Sequence, residues 1–155
     1  MTDNIRKSAM KPCSQRIRRN PLFWASRWSA ELGNKYIMNR SELEVYIAEI
    51  YSTEGEHLFD KYPSFLVFRH SGNRKWFAVI MDVPRKNLGL TGEGEISVVN
   101  LKCDTRLIGS FRMEPSIFPG WHMNKAHWLT VALDGSEDGE KIRFLVDMSY
   151  ELTKK

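Results

Sequence analysis

Residues 65–81 constrain the fold more than any other stretch of this chain. Phe65-Leu66-Val67-Phe68-Arg69-His70 and Lys75-Trp76-Phe77-Ala78-Val79-Ile80-Met81 are rich in β-branched and aromatic residues. They flank Ser71-Gly72-Asn73-Arg74, four residues suited to a turn. The pattern predicts an antiparallel hairpin.

The flanking sequence supplies further elements. Past Pro84, a loop punctuated by Gly89, Gly92 and Gly94 leads to a strand over 95–102. There alternation puts Ile96, Val98 and Asn100 on one side, Val99 and Leu101 on the other. Asp104 is placed to cap a short helix bearing Leu107, Ile108 and Phe111. Pro115 and Pro119-Gly120 break the chain, and 128–133 reads as a strand closed by the turn dipeptide Asp134-Gly135. Alternation sends His127 and Trp128 to opposite faces of that sheet. Trp128 is expected against a helix, with Leu129 returning to the face of His127.

Helices bracket the strands. Ser41 and Glu44 have capping-box spacing, and Leu43, Ile47, Ile50 and Tyr51 form one apolar stripe, which predicts a helix over 41–57. A second is expected over 137–153, with Ile142, Leu145, Val146 and Ser149 inward. Helix, three strands, short helix, strand and helix make an antiparallel α+β sandwich.

At 155 residues the chain has room for one domain. No run nears the roughly 18 apolar residues of a membrane span, and the first 20 residues contain no apolar secretory core. Cys13 and Cys103 lie far apart without a C-x-x-C partner, which argues against a zinc site or a disulfide framework and fits a reducing cytoplasm.

The formal net charge of +4 is unevenly spread. Residues 1–37 hold eight basic and two acidic residues, a balance of +6. Residues 38–155 hold fifteen and seventeen, a balance of −2. Within them, 38–60 carries −5 and 61–128 carries +5. A domain polarised in this way can turn a basic face to phosphate, although charges also fall simply where solvent is. Residues 1–37 show no sustained periodicity, and Arg16, Arg18 and Arg19 precede Pro21, Phe23, Trp24 and Trp28. Three readings stand for them: a basic arm touching nucleic acid or a membrane surface, a targeting segment, or a segment outside the native protein, with Met38 as initiator.

The densest group of functional side chains is His122-Met123-Asn124-Lys125-Ala126-His127-Trp128. It lacks the carboxylates and cysteines that most zinc sites would add, so no metal or cofactor is assigned. A Cys103/His nucleophile pair is chemically conceivable. A buried structural thiol is the plainer reading, and no catalytic residue is assigned. The three glycines lack the Lys-Ser/Thr of a phosphate-binding P-loop and read as a hairpin or wing. Basic residues gather on the loops: Arg69, Arg74 and Lys75 with His70 around the hairpin turn, Arg85 and Lys86 entering the glycine loop, and Lys125 with Asn124 and His127 in the later loop. Such side chains can hold phosphates without reading base sequence, and Trp76, Trp121 and Trp128 can stack on bases.

Several runs resemble the MmcQ/YjbR family: Pro63-Ser64 through Val67-Phe68-Arg69-His70, then Lys75-Trp76-Phe77-Ala78, and Asn100-Leu101-Lys102-Cys103-Asp104. Most specific is Pro119-Gly120-Trp121-His122-Met123-Asn124-Lys125-Ala126-His127-Trp128, followed by Leu133-Asp134-Gly135 and 145–150. The similarity covers about residues 40–153. It implies a CyaY-like (frataxin-like) two-layer sandwich, a twisted antiparallel sheet packed against helices, and a double-wing mode of DNA binding. It also implies roles for Arg69, Lys75, Lys102, His122, Asn124, Lys125, His127 and Trp128. Iron chemistry in frataxin-like folds uses an acidic ridge. Glu42, Glu49 and Glu56 recur every seven residues here and read instead as a solvated helix face.

The expectation is therefore a cytoplasmic, non-enzymatic DNA-binding domain over 38–155, with no membrane partner and a monomer favoured. Its contacts are Arg69, Arg74, Lys75, Arg85, Lys86, Lys102, His122, Asn124, Lys125 and His127. The alternative is a small-ligand or protein-interaction module built on the 122–128 loop.

Overall fold

The structure, a computed structural model, describes residues 36–155, and expectations about the arm before Tyr36 lie outside the described residues. The chain forms α1 (Arg40–Tyr51), β1 (Leu66–Arg69), β2 (Trp76–Pro84), β3 (Glu95–Lys102), α2 (Ile108–Phe111), β4 (Ile117–Pro119), β5 (Trp128–Ala132) and α3 (Gly139–Thr153). A short 3-10 turn, Arg85–Leu88, follows β2. The five strands form one sheet in the order β1-β2-β3-β5-β4, antiparallel throughout. The expected α+β class is observed.

α1 starts and stops earlier than its apolar stripe predicts. The capping box is Asn39 with Glu42 rather than Ser41 with Glu44: Asn39 Oδ1 accepts the Glu42 N–H at 3.0 Å, and Glu42 Oε2 accepts the Asn39 N–H at 2.8 Å. Met38, 1% exposed, anchors the chain just before this cap, and Glu44 is instead held by Arg40 at 2.8 Å. The helix ends at Ser52, a left-handed residue with φ 50°. Beyond it the chain must extend, because Glu56 and Val67 exchange two backbone hydrogen bonds of 2.8 and 2.9 Å along the outer edge of β1. Glu56 thus belongs to the sheet edge and not to a helix face.

The hairpin forms as expected, and β2 extends through Pro84, which pairs with Glu95 at its far end. β2 also carries a bulge. Phe68 pairs with Ala78 and Arg69 with Trp76, leaving Phe77 as the extra residue. The bulge lets Phe77 and Ala78 both join the helix-side core while Trp76 turns to the opposite face. On the helix side, Phe68, Ile80, Val99, Leu101, Leu129 and Val131 pack with Leu43 and Ile47 of α1 and Ile142, Leu145 and Val146 of α3. On the other side, Val67, Val79, Met81, Val83, Ile96, Val98 and Ala132 form a second core. Loop residues Phe59, Phe65, Leu88, Leu90 and Trp121 cover it.

Two expectations need correction. Trp128 does not pack against a helix. Leu129 and Val131 take the helix side, so Trp128, with Thr130 and Ala132, lies on the opposite face and is half-buried. The segment read as a break contains β4, flanked by Pro115 and ending in Pro119. Prolines are tolerated there because β4 is an edge strand.

α3 begins two residues late, at the Asp138 cap, because Glu137 turns inward. There it is 5% exposed and accepts from the Ser116 hydroxyl at 2.6 Å and from Lys141 at 3.1 Å. Tyr36 belongs to the packed structure. Its carbonyl accepts the Gly139 N–H at 2.6 Å, and the Arg143 guanidinium sits 4.8 Å from its ring. A side chain at position 139 would collide with the Tyr36 ring, so the close approach requires glycine. Among the described residues, no helix is long and apolar enough to cross a membrane.

Candidate nucleic-acid interface

One end of the sheet gathers most of the expected contact residues. Here Lys102 ends β3, opposite Trp128, the first residue of β5. The β1–β2 turn and the 120–127 loop project from the same end.

The turn is fastened to the end of α3. His70, buried, pairs its Nε2 with Thr153 Oγ1 at 2.8 Å, and its ring lies 4.2 Å from Tyr150. Asn73 Nδ2 donates to the Thr153 and Lys154 carbonyls at 2.9 and 3.1 Å, satisfying helix-end acceptors that would otherwise be open. Arg74 then takes a left-handed conformation, φ 60°. Burial lowers the His70 pKa, against the raising effect of a hydrogen bond with the Tyr150 backbone.

The 120–127 loop is pinned to the sheet by a closed polar triangle. Thr130 Oγ1 donates to Asn100 Oδ1 at 2.6 Å, Asn100 Nδ2 donates to the Trp121 carbonyl at 2.8 Å, and the Trp121 N–H donates to Thr130 Oγ1 at 2.7 Å. Asn100 and Thr130 are fully buried, and each polar group finds a partner within the triangle. Asn124 shapes the loop tip. Its Oδ1 accepts the Ala126 N–H at 2.9 Å, and its carbonyl accepts the N–H groups of His127 and Trp128 at 3.0 Å each. The His127 carbonyl accepts from Cys103 N–H at 2.8 Å. His122 sits at φ 54°, edge-on to Trp121 with ring centroids 4.6 Å apart. The result is a braced loop whose residues His122, Asn124, Lys125, Ala126 and His127 are all exposed.

The expected cations differ in availability. Arg69 gives both Nε, at 3.0 Å, and Nη2 to the Glu56 carboxylate. Arg74 reaches the same carboxylate at 3.1 Å. The Arg69 hydrogen bond is the main reason the Glu56 carboxyl is held below its usual range. Lys75 donates to the Lys155 carbonyl. Lys102 is half-buried and Lys125 exposed, and neither has an ion-pair partner among the described residues. Arg85 and Lys86 stand apart. β2 separates them from this end, and the eight residue steps from Trp76 to Pro84, at about 3.3 Å each, set the two groups roughly 26 Å apart. Arg85 Nε is also committed to the Thr91 carbonyl at 2.9 Å. The sequence reading thus merged two distant cationic groups and missed Glu56, which neutralises part of one. It also missed Asn100 and Thr130, whose only sequence signal is a polar residue between two apolar neighbours within a strand.

Cys103 is buried in the helix-side core. Burial, reinforced by Asp104, pushes its thiol up to about 11, which suits a packing role and not a thiolate nucleophile.

The uncharacterised Bacillus subtilis protein YyaQ is 36% identical over 118 residues, which span 76% of this chain and all of that one. The uncharacterised Escherichia coli K12 protein YjbR is 46% identical over 54 residues, covering 34% of this chain and 46% of that one. A crystal structure of a Pseudomonas syringae protein superposes with a TM-score of 0.73 at 41% identity, over 75% of this chain and 99% of that one. A Deinococcus radiodurans protein with a DUF419 domain superposes with a TM-score of 0.60 at 27% identity, over 77% of this chain and 80% of that one. The YjbR family model matches residues 48–152. That match runs from the end of α1 to the last turn of α3, taking in every strand and both loops of the cationic end, and the chain belongs to the MmcQ/YjbR family.

Proposed function

We propose that this domain is a non-enzymatic, cytoplasmic DNA-binding module that holds the phosphate backbone at the Lys102–Trp128 end of its sheet. One observation carries the reading: the β1–β2 turn, the end of β3 and the 120–127 loop bring Lys75, Lys102 and Lys125 to one end, flanked by exposed His122 and His127. Ammonium groups on braced loops are suited to phosphate, since the loops lose little freedom on binding. The double-wing idea fits this pair of loops better than it fits the glycine loop of Arg85 and Lys86. The antiparallel sheet with helices on one face also supports a CyaY-like assignment.

Replacing Lys75, Lys102 and Lys125 together by glutamine in the full chain tests the proposal. Each lost contact with duplex DNA should reduce the salt dependence of log affinity by about 0.9, so the slope becomes shallower by roughly 2.7. An unchanged slope in the folded triple variant rejects the reading and moves binding elsewhere on the chain.

A small-ligand or protein-interaction role for the 122–128 loop is the second reading. Its donor side chains are exposed, and that favours a surface contact over an enclosed ligand.

A further inference from the structure

Strand pairing assembles a pattern across the cationic end that no single segment displays. Arg69 pairs with Trp76 across β1 and β2, and Lys102 pairs with Trp128 across β3 and β5. The Ala78–Leu101 pairing joins the two halves. All four side chains lie on the face turned away from α1 and α3, because each continues the alternation of Val67, Val98 or Ala132, or joins the same apolar group. All four are half-buried. The ends of four neighbouring strands therefore carry a row of Arg, Trp, Lys and Trp, with Trp76 one residue further along β2 than the position opposite Lys102, and with Trp121 and exposed His122 beside it. The two tryptophans sit two strand spacings apart, about 10 Å.

We infer that the preferred ligand of this face is single-stranded DNA, its bases stacked on Trp76 and Trp128 and its phosphates held by Lys102, Lys125 and Lys75. The inference rests on the DNA-binding reading and narrows it. Indoles set into a sheet can stack only on bases that are already out of a helix. Four strands span about 14 Å, wider than the roughly 12 Å major groove, so the row cannot enter duplex DNA as a two-stranded ribbon does. The choice of DNA over RNA follows from the polar groups available. Arg69 and Lys102 are donors only, and the acceptors beside them are engaged, Asn100 Oδ1 and Thr130 Oγ1 within the polar triangle and the Glu56 carboxylate with Arg69 and Arg74. A ribose 2′-hydroxyl can accept from these donors as any sugar oxygen can, but finds no free acceptor in the row for its own proton.

The test uses the full chain with a fluorescein-labelled 15-nucleotide oligo-dT, the same strand paired with oligo-dA, and oligo-rU. Expected are tighter binding of oligo-dT than of the duplex, quenching of tryptophan emission on binding, and no gain for oligo-rU. Trp128→Leu should weaken oligo-dT binding on the order of tenfold, the loss of one modest stacking contact, and leave the duplex nearly unaffected, while Trp128→Phe retains most of the affinity. The wild-type comparison needs no variant, so a poorly folded Trp128→Leu leaves the test intact. Duplex binding as tight as oligo-dT, or preference for oligo-rU, overturns the inference but leaves the phosphate reading standing. Absence of salt-dependent binding to all three overturns both.

Discussion

On the DNA-binding reading proposed above, Glu56→Gln should tighten binding. In the folded chain the Glu56 carboxylate accepts Arg69 Nε at 3.0 Å, a second Arg69 nitrogen, and Arg74 Nη2 at 3.1 Å. Two guanidiniums and one carboxylate thus present a single net positive charge at the edge of the Arg-Trp-Lys-Trp row. Glutamine removes the negative charge while keeping a side chain of nearly the same shape. The Glu56–Val67 pairing uses backbone groups only, so the sheet edge remains closed. Each guanidinium released to a phosphate steepens the salt dependence of log affinity by about 0.7 on a single strand and about 0.9 on duplex. Between 50 and 200 mM salt, affinity should therefore fall by an additional factor of about 3 for one freed arginine and roughly 7 to 12 for two. Fluorescence anisotropy at several salt concentrations measures this directly, and any contribution from the basic residues before Tyr36 is common to both proteins and cancels. A folded Glu56→Gln variant with the wild-type slope, or a shallower one, would show that Arg69 and Arg74 do not face the ligand. The site would then shrink to the lysines.

The remaining predictions concern the scaffold beneath the site. A Cβ at Gly120 would lie 2.8 Å from the Trp128 Cβ and 3.0 Å from its carbonyl oxygen, so Gly120→Ala should cost about 1–3 kcal/mol in denaturant unfolding; a loss below about 0.5 kcal/mol would mean the loop shifts freely. Thr130→Val keeps the volume but leaves Asn100 Oδ1 and the Trp121 N–H without their partner, and should cost about 1–3 kcal/mol, with altered Trp121 emission if the loop detaches. His70 has a folded pKa below its unfolded value near 6.5, so its neutral form is the one the folded state favours. Its contribution is complete above that pH and disappears as pH falls from there through the folded pKa. A His70→Gln variant should lack this acid-side loss in thermal melts taken between about pH 7 and 5. Glu137 would be raised by its burial, but the hydrogen bonds from Ser116, the Asp138 N–H and Lys141 outweigh that and lower it. Its stabilisation should therefore be present above about pH 4.5 and vanish in more acidic solution, and Glu137→Gln should flatten the acid limb.

Local pattern was enough for four of the five strands and the second long helix, because each advertises its burial within a few residues. Glu95–Lys102 forms as the alternation predicts, and Ile142, Leu145, Val146 and Ser149 all point inward. What the chain hides is long-range. Nothing near Glu56 in sequence marks it as the partner of Arg69 and Arg74, thirteen and eighteen residues on. A seven-residue spacing of glutamates looks the same whether or not the helix continues. Likewise β4 is only three residues long between prolines, and only its place at the sheet edge explains how it pairs. Trp128 shows the same boundary more sharply. Period-two alternation separates it from Leu129 correctly, yet which face is covered by helices depends on where α1 and α3 pack. The error has a functional consequence. A tryptophan assigned to the helix-side core would contribute only stability, whereas one on the loop-side face completes a row of cations and indoles drawn from four strands. The row belongs to strand register and bulge placement, and Phe77, the extra residue that turns Trp76 toward Arg69, is as necessary to it as any residue that would touch DNA.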